Sequence, residues 1–174
     1  CLKGESMPDA LDGIKMVEWG AFHAGVGGGY MLGDMGAQVI KVEEPVRGDP
    51  LRGLSSLFGQ TTVLAGGRNY MFETSHRNKR SITLDLKQPK GKEAFFRLIQ
   101  DADVFYTNYR LNVLKSVGVD YEQVRKHNPR IIYARATALG SLGPEVHRRG
   151  FDPMGMARSG MMWAVGDREH DEPF

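Results

Sequence analysis

The sequence is short of several things, and each shortage removes a class of function. One cysteine, Cys1, stands among 174 residues, which leaves no disulfide framework and no cysteine-based zinc site and fits a reducing compartment. No apolar run approaches the length of a membrane span, and the first residues, CLKGESMPDA, lack the apolar core of a signal peptide. A soluble, cytoplasmic protein is the expectation. Charge of one sign is not in excess: 23 Lys and Arg against 21 Asp and Glu leave a net +2, with no long basic run. Nucleic acid is therefore not an expected partner, and any basic site must be local. The five histidines, His23, His76, His127, His147 and His170, show no pair at metal-binding spacing on one helix, so no metal is expected. Internal repeats and low-complexity tracts are missing too.

What is present is ordinary in amount and informative in order. Apolar residues make up 41% and charged residues 25% of the chain, average values for a globular protein. The length suits one domain, and two independent domains are not expected. Two apolar periods alternate along it. Ile14 to Trp19 reads as a strand, Gly25 to Gly36 has helical spacing, and AQVIKVE, Ala37 to Glu43, reads as a second strand. Residues 44–67, with turn signals at RGDP and AGG, read as a long excursion. Ser81 to Asp85 reads as a third strand, followed by a helix with Pro89 in its first turn and Ala94, Phe95, Leu98 and Ile99 as its buried stripe. DVFYT is a fourth strand. LNVLKSVG is a helix closed by Gly118, and DYEQVRKHN another with Asp120 as N-cap. RIIYARA is a fifth strand, and a Gly-rich loop leads to a helix from about Pro153 to Trp163. This alternation predicts an α/β fold: a Rossmann-like, doubly wound, mostly parallel sheet over residues 11–174, with 1–10 as a lead segment.

Several constellations fall at the carboxyl ends of these strands. GVGGGY, Gly25 to Tyr30, with Glu43 at the end of the second strand, is a partial dinucleotide fingerprint. Tyr30 occupies the place of the third glycine, and AFHA separates the strand from the first. The other reading is a Gly-softened helix packed closely on a neighbour. His23 lies at the end of the first strand, where open α/β sheets bind ligands. Lys87 follows the third strand, and Lys90 and Lys92 enter the first turn of the next helix, a setting that favours an anion. Lys79 and Arg80 stand before the strand itself. Asn108 and Tyr109, after the fourth strand, combine an amide with a ring that can bond and stack a flat heterocycle, or serve as a turn residue and a packing ring. Arg148 and Arg149 add charge before GFD.

Taken in order, LDGIKMVEWG, LGDMGAQVIKVEEPVRGDPLR, NKRSITLDLKQPKGKEAF, ADVFYTNYR, VGVDYEQVRKHNPRIIYARATALGSLGP and GFDPMGMARSGMM resemble the class III CoA transferases. That family includes formyl-CoA, carnitine and phenyllactate CoA transferases, with α-methylacyl-CoA racemase as a relative. The likeness covers nearly all of residues 11–163. It implies a Rossmann-like domain plus a smaller domain, in an interlocked homodimer. It further implies coenzyme A or acyl-CoA as the cofactor-like substrate, with an acyl-CoA donor and a carboxylate acceptor as partners. By position, Leu84 and Lys87 match CoA contacts, Asn108 and Tyr109 the pair near the adenine, and Arg149 a basic residue near the phosphates. His23 matches a position at the acyl end. In such enzymes an aspartate carboxylate attacks the donor thioester and relays the acid through an anhydride and an aspartyl-CoA thioester.

Two departures shape the expectation. The nucleophilic aspartate of the family belongs to a Gly-Asp loop that, by position, begins beyond Phe174; neither Asp152 nor Asp167 stands in its place. The chain therefore reads as the cofactor-binding N-terminal part of a larger enzyme, inactive alone. The racemase branch has a histidine before the aspartate of GFD, where this chain has Phe151, whose phenyl ring exchanges no proton. Transferase is preferred over racemase, and an NAD-dependent oxidoreductase remains the alternative from outside the family.

Overall fold

The computed structural model describes residues 8–57 and 59–166; Cys1, Asp167 and His170 lie outside the described residues. The chain divides into two compact units, residues 1–136 and residues 137–174. The first unit is built on strands β1 (Lys15–Glu18), β2 (Gln38–Glu43), β5 (Lys79–Thr83), β6 (Val104–Thr107) and β7 (Ile132–Arg135). They form one sheet in the order β5-β2-β1-β6-β7, every neighbouring pair being parallel. A minor antiparallel hairpin, β3 (Ser56–Leu57) with β4 (Gln60–Thr61), decorates the excursion between β2 and β5. The expected doubly wound α/β sheet is thus the observed one, and the chain order reverses between β1 and β6.

Side-chain alternation sorts the two faces of this sheet. Val17 and Val42 enter a core with Phe95, Ile99, Phe105, Leu114 and Val124, all buried. Phe95 meets Phe105 edge to face at 5.3 Å, and Tyr133 meets Phe105 the same way at 5.1 Å. Each such side chain contributes about 1.5–3 kcal/mol on burial. Helices α3 (Pro89–Gln100), α4 (Leu111–Val117) and α5 (Tyr121–His127) line this side. Their ends follow the sequence closely: Asp120 accepts from the Glu122 N–H, and Gly118, at φ +71°, closes α4 in the left-handed region. Asn128, after α5, donates to the carbonyls of Ile99 and Ala102 and so ties α5 to the end of α3.

The other face carries α1 (Phe22–Asp34) and α2 (Tyr70–His76). Here the strands bury Met16 and Val39, but also Glu18 and Lys41, which are fully buried. α1 fits over these polar side chains because its glycines leave room. A Cβ on Gly29 would lie 1.9 Å from Glu18 Oε2 and 2.9 Å from Lys79 Nζ. The glycine run therefore lies inside a helix, three residues past its start, and forms no tight turn after β1. The close-packing reading of GVGGGY holds, and the dinucleotide reading lacks the turn it requires.

Three segments differ from expectation. β5 runs from Lys79 to Thr83 rather than from Ser81 to Asp85, so Lys79 and Arg80 are its first residues and Lys79 is turned inward. α2 has no regular apolar stripe, and only its N-cap, Asn69, which accepts from the Phe72 N–H, marks it in the sequence. In the second unit the expected single helix is two, α6 (Asp152–Arg158) and α7 (Met161–Val165), broken where Gly160 takes φ +76°.

Two substitutions in α1 separate packing from helix propensity. Gly29→Ala is expected to destabilise by about 1–3 kcal/mol through overpacking. Gly27→Ala, whose Cβ would meet nothing within 4 Å, is expected to stabilise by up to about 1 kcal/mol. Urea denaturation of both variants checks this, and equal effects would contradict the assigned role of Gly29.

Candidate functional site

In a sheet of this kind the ligand crevice opens beyond the carboxyl ends of the strands flanking the reversal, here β1 and β6. The turn after β1, Gly20 to Phe22, is held from three directions. Asn108, just past β6, accepts from the Ala21 N–H at 3.0 Å and donates to the Ala21 carbonyl at 2.9 Å. Lys41 Nζ, on β2, donates to the Gly20 carbonyl at 2.9 Å. Asp49 Oδ1, in the excursion, accepts from the Phe22 N–H at 3.4 Å. Phe22 itself sits at φ +57°, a left-handed conformation that costs a non-glycine residue about 1–2 kcal/mol and persists only where the surroundings enforce it.

Two of the side chains that enforce it belong to a buried charge cluster. Glu18 and Lys41 are register partners on β1 and β2, with Lys41 Nζ 3.4 Å from Glu18 Oε1. Lys79 Nζ approaches Glu18 Oε2 to 2.8 Å and also donates to the Val26 carbonyl. Lys41 Nζ lies 2.9 Å from Asp49 Oδ2, and His76 Nε2 lies 3.5 Å from the same oxygen, neither in hydrogen-bond alignment. Alongside, Glu43 takes two bonds from the Arg52 guanidinium at 2.8 Å each, one from Ser81 Oγ at 2.6 Å and one from the Asp49 N–H at 2.8 Å. Three carboxylates thus face three cations, of which Lys41 and Lys79 are buried and Arg52 is half-exposed.

Their titration follows from this packing. Burial pushes the Glu18 carboxyl up, against the pull of Lys41 and Lys79, and pushes Lys79 down. At Asp49 burial also works against the charge, but the contacts with His76, Lys41 and the Leu51 N–H outweigh it and hold the carboxylate well below its usual range. Glu43 shows the same contest: burial opposes ionisation, while Arg52, Ser81 and the Asp49 N–H bring it down to about 2.

The residues singled out from the sequence fall as follows. His23 is in the first turn of α1, exposed, with Nδ1 2.7 Å from Ser75 Oγ. Leu84 follows β5, half-buried against the core, its N–H donating to the Glu43 carbonyl at 3.0 Å. Lys87 lies exposed in the turn before α3, with its backbone N–H on Asp85 Oδ1 and its ammonium without a partner among the described residues. Asn108 uses one lone pair and one N–H on Ala21, which leaves the other of each for a ligand. Tyr109 packs on Trp19 at 4.4 Å between ring centroids, and burial pushes its phenol up. The β5 and β6 ends lie three strands apart, about 14 Å at the usual spacing, so only an extended ligand reaches both. Arg149 belongs to the second unit. There it is exposed and without a partner among the described residues, whereas Arg148 and Arg158 both pair with Glu145.

Lys79 must be withdrawn from the basic cluster that frames β5, because its ammonium is spent on Glu18. The buried cluster itself was missed from the sequence, and a signal for it existed. Strands of a parallel sheet are covered on both faces, so a Glu in KMVE or a Lys in QVIKVE has to be buried and paired. Among the described residues no group of His, Cys, Asp and Glu is arranged to hold a metal ion, and no helix is long and apolar enough to cross a membrane.

Glu43 gives this site a pH signature. A carboxylate depressed from 4.5 to about 2 contributes stability that is fully present above pH 4.5 and lost as pH falls toward 2; Asp49 adds in the same sense and Glu18 opposes it. Glu43→Gln is expected to cost about 2–3 kcal/mol at neutral pH and to flatten the loss of stability between about pH 5 and pH 3. Urea midpoints across that range check this, and a variant with the wild-type slope would contradict it.

The chain matches CoA-transferase family III over residues 11–174. It is 39% identical over 160 residues to succinate–glutarate CoA-transferase of Agrobacterium fabrum, covering 90% of this chain and 39% of that protein. It is 34% identical to (R)-2-hydroxy-4-methylpentanoate CoA-transferase of Clostridioides difficile, covering 91% and 39%. Its fold superimposes on a CaiB/BaiF family protein from Brucella suis with a TM-score of 0.84 at 36% identity, over 96% of this chain and 43% of the other. The chain spans about two fifths of the length of the curated relatives it matches. With motifs, sheet order and these likenesses in agreement, the chain belongs to CoA-transferase family III.

Proposed function

We propose that this chain is the coenzyme A-binding part of an enzyme that moves CoA between carboxylic acids. The observation that carries the reading is the family match across residues 11–174 on a sheet whose carboxyl edge offers a free ammonium at Lys87 and an amide beside a ring at Asn108 and Tyr109. CoA is long enough to touch both strand ends. Its phosphates take the ammonium of Lys87 and the N-terminus of α3, and its adenine takes the remaining donor and acceptor of Asn108 beside Tyr109, with Leu84 as apolar contact. Arg149 is proposed as a further phosphate partner on the family resemblance alone.

The reaction follows from a carboxylate nucleophile in the remainder of the enzyme. The aspartate attacks the donor thioester carbonyl, and the C–S bond breaks to release CoA thiolate and leave an acyl-aspartyl anhydride. The thiolate attacks the aspartyl carbonyl and expels the donor acid, giving an aspartyl-CoA thioester. The acceptor carboxylate then repeats both steps in reverse, so that acceptor acyl-CoA leaves and the aspartate is restored. No step needs a metal or a redox partner. CoA held by its nucleotide offsets the cost of desolvating the carboxylates at the other end. The turn at Gly20 to His23 faces that acyl end, and the complete enzyme is an interlocked homodimer of a cytoplasmic protein. Phe151 in place of a proton-exchanging histidine sets the transferase above the racemase.

Lys87→Ala and Arg149→Ala are each expected to weaken CoA binding by about 1–2 kcal/mol, roughly 5- to 30-fold in Kd. Arg125→Ala, on the far helix α5, is expected to leave it unchanged. Calorimetric titration checks this, and unchanged Kd values for both site variants would contradict the reading. The chain by itself is expected to give no transferase turnover; a robust rate would mean that the nucleophile lies within it.

A further inference from the structure

Adjacent residues of α2 address the turn after β1 and the start of α1. His76 reaches the turn through Asp49, which accepts from the Phe22 N–H; Ser75 reaches the first turn of α1 at His23, whose Nδ1 lies 2.7 Å from its Oγ. α2 is itself anchored: the Arg52 guanidinium lies 4.0 Å over the Phe72 ring, which stacks on His76 at 3.9 Å. Ser75 is almost fully buried, and its hydroxyl makes a second contact, with the Met71 carbonyl one helical turn back, at 2.7 Å.

These two contacts share one proton. The Met71 carbonyl can only accept, so an oxygen held 2.7 Å from it must present its hydrogen there; otherwise lone pair faces lone pair. The Ser75 oxygen then has only lone pairs for His23, and the imidazole must donate from Nδ1. We propose that Ser75 is a positioning residue that fixes His23 in the Nδ1–H tautomer, so that Nε2 offers a lone pair to a hydrogen-bond donor of the ligand, a hydroxyl or amide N–H at its acyl end. That a CoA ester or acceptor acid supplies this donor rests on the function proposed above; the ring tautomer stands independently of it. The arrangement does for His23 what a carbonyl or carboxylate behind an imidazole does elsewhere: one nitrogen is spent on orientation and the other is left with a defined role.

Long-range proton–nitrogen correlation spectra of the nitrogen-15-labelled chain, recorded where the ring is neutral, read the tautomer. Wild type is expected to show His23 protonated at Nδ1. Ser75→Ala is expected to lose that preference and shift toward Nε2–H, while Ser75→Thr, which keeps the hydroxyl, restores it. An Nε2–H ring in wild type, or an Nδ1–H preference untouched in Ser75→Ala, overturns the proposal; if Ser75→Ala does not fold, the wild-type spectrum alone decides. CoA titration of the same sample separates the two readings. No CoA binding with an Nδ1–H ring overturns the CoA reading and supports the positioning role of Ser75, and CoA binding with an Nε2–H ring does the reverse.

Discussion

The carboxyl edge of this sheet depends on one constraint: charges turned inward from strands covered on both faces have to be neutralised where they stand. Glu18, Lys41 and Lys79 occupy such positions on three adjacent strands. Taking one partner away would leave an uncompensated buried charge, at a cost of about 3–5 kcal/mol. The surrounding features follow from that demand. α1 has glycines where its backbone must pass over the Glu18–Lys79 pair. The excursion after β2 folds back to deliver Asp49 onto Lys41, and Asp49 caps its own short helical turn by accepting from the Leu51 N–H. Apolar residues of the same volume would satisfy packing as well, so the charges make sense through what else they hold.

What they hold is the turn after β1. Lys41 and Asp49 take one backbone group each from Gly20 and Phe22, and Asn108 takes two from Ala21. Four consecutive polar groups of the backbone are thereby fixed by side chains from β2, the excursion and the end of β6. The strained φ of Phe22 is enforced by this bracing. Under the function proposed above, a turn prepared in this way would not have to be ordered on binding, which favours affinity and alignment.

The sequence made the scaffold legible because strands and helices here obey their own periods and carry their own punctuation. Asp120 caps, Gly118 stops and Pro89 starts a helix as their chemistry requires. The boundaries that slipped have physical reasons. β5 begins two residues early because Lys79 is drawn inward by Glu18, a partner 61 residues away that no local pattern reveals. α2 owes its place to Arg52 stacking and to the cap from Asn69, and it presents no amphipathic stripe. The single helix expected near the end of the chain breaks because Gly160 adopts the left-handed region. Of the candidate site, Lys87, Asn108 and Tyr109 stand out in the sequence as candidates by their place after strands, whereas the charge cluster of Glu18, Lys41 and Lys79 does not. Charged letters in a strand look solvated until the neighbouring strands are known.

The central claim is that this edge holds the nucleotide end of coenzyme A, and a crystal structure of the chain soaked or grown with CoA tests it most directly. The account predicts adenine density beside Asn108 and Tyr109 and phosphate density at Lys87. A nucleotide bound on any other face of the sheet, with both strand ends empty, would contradict it.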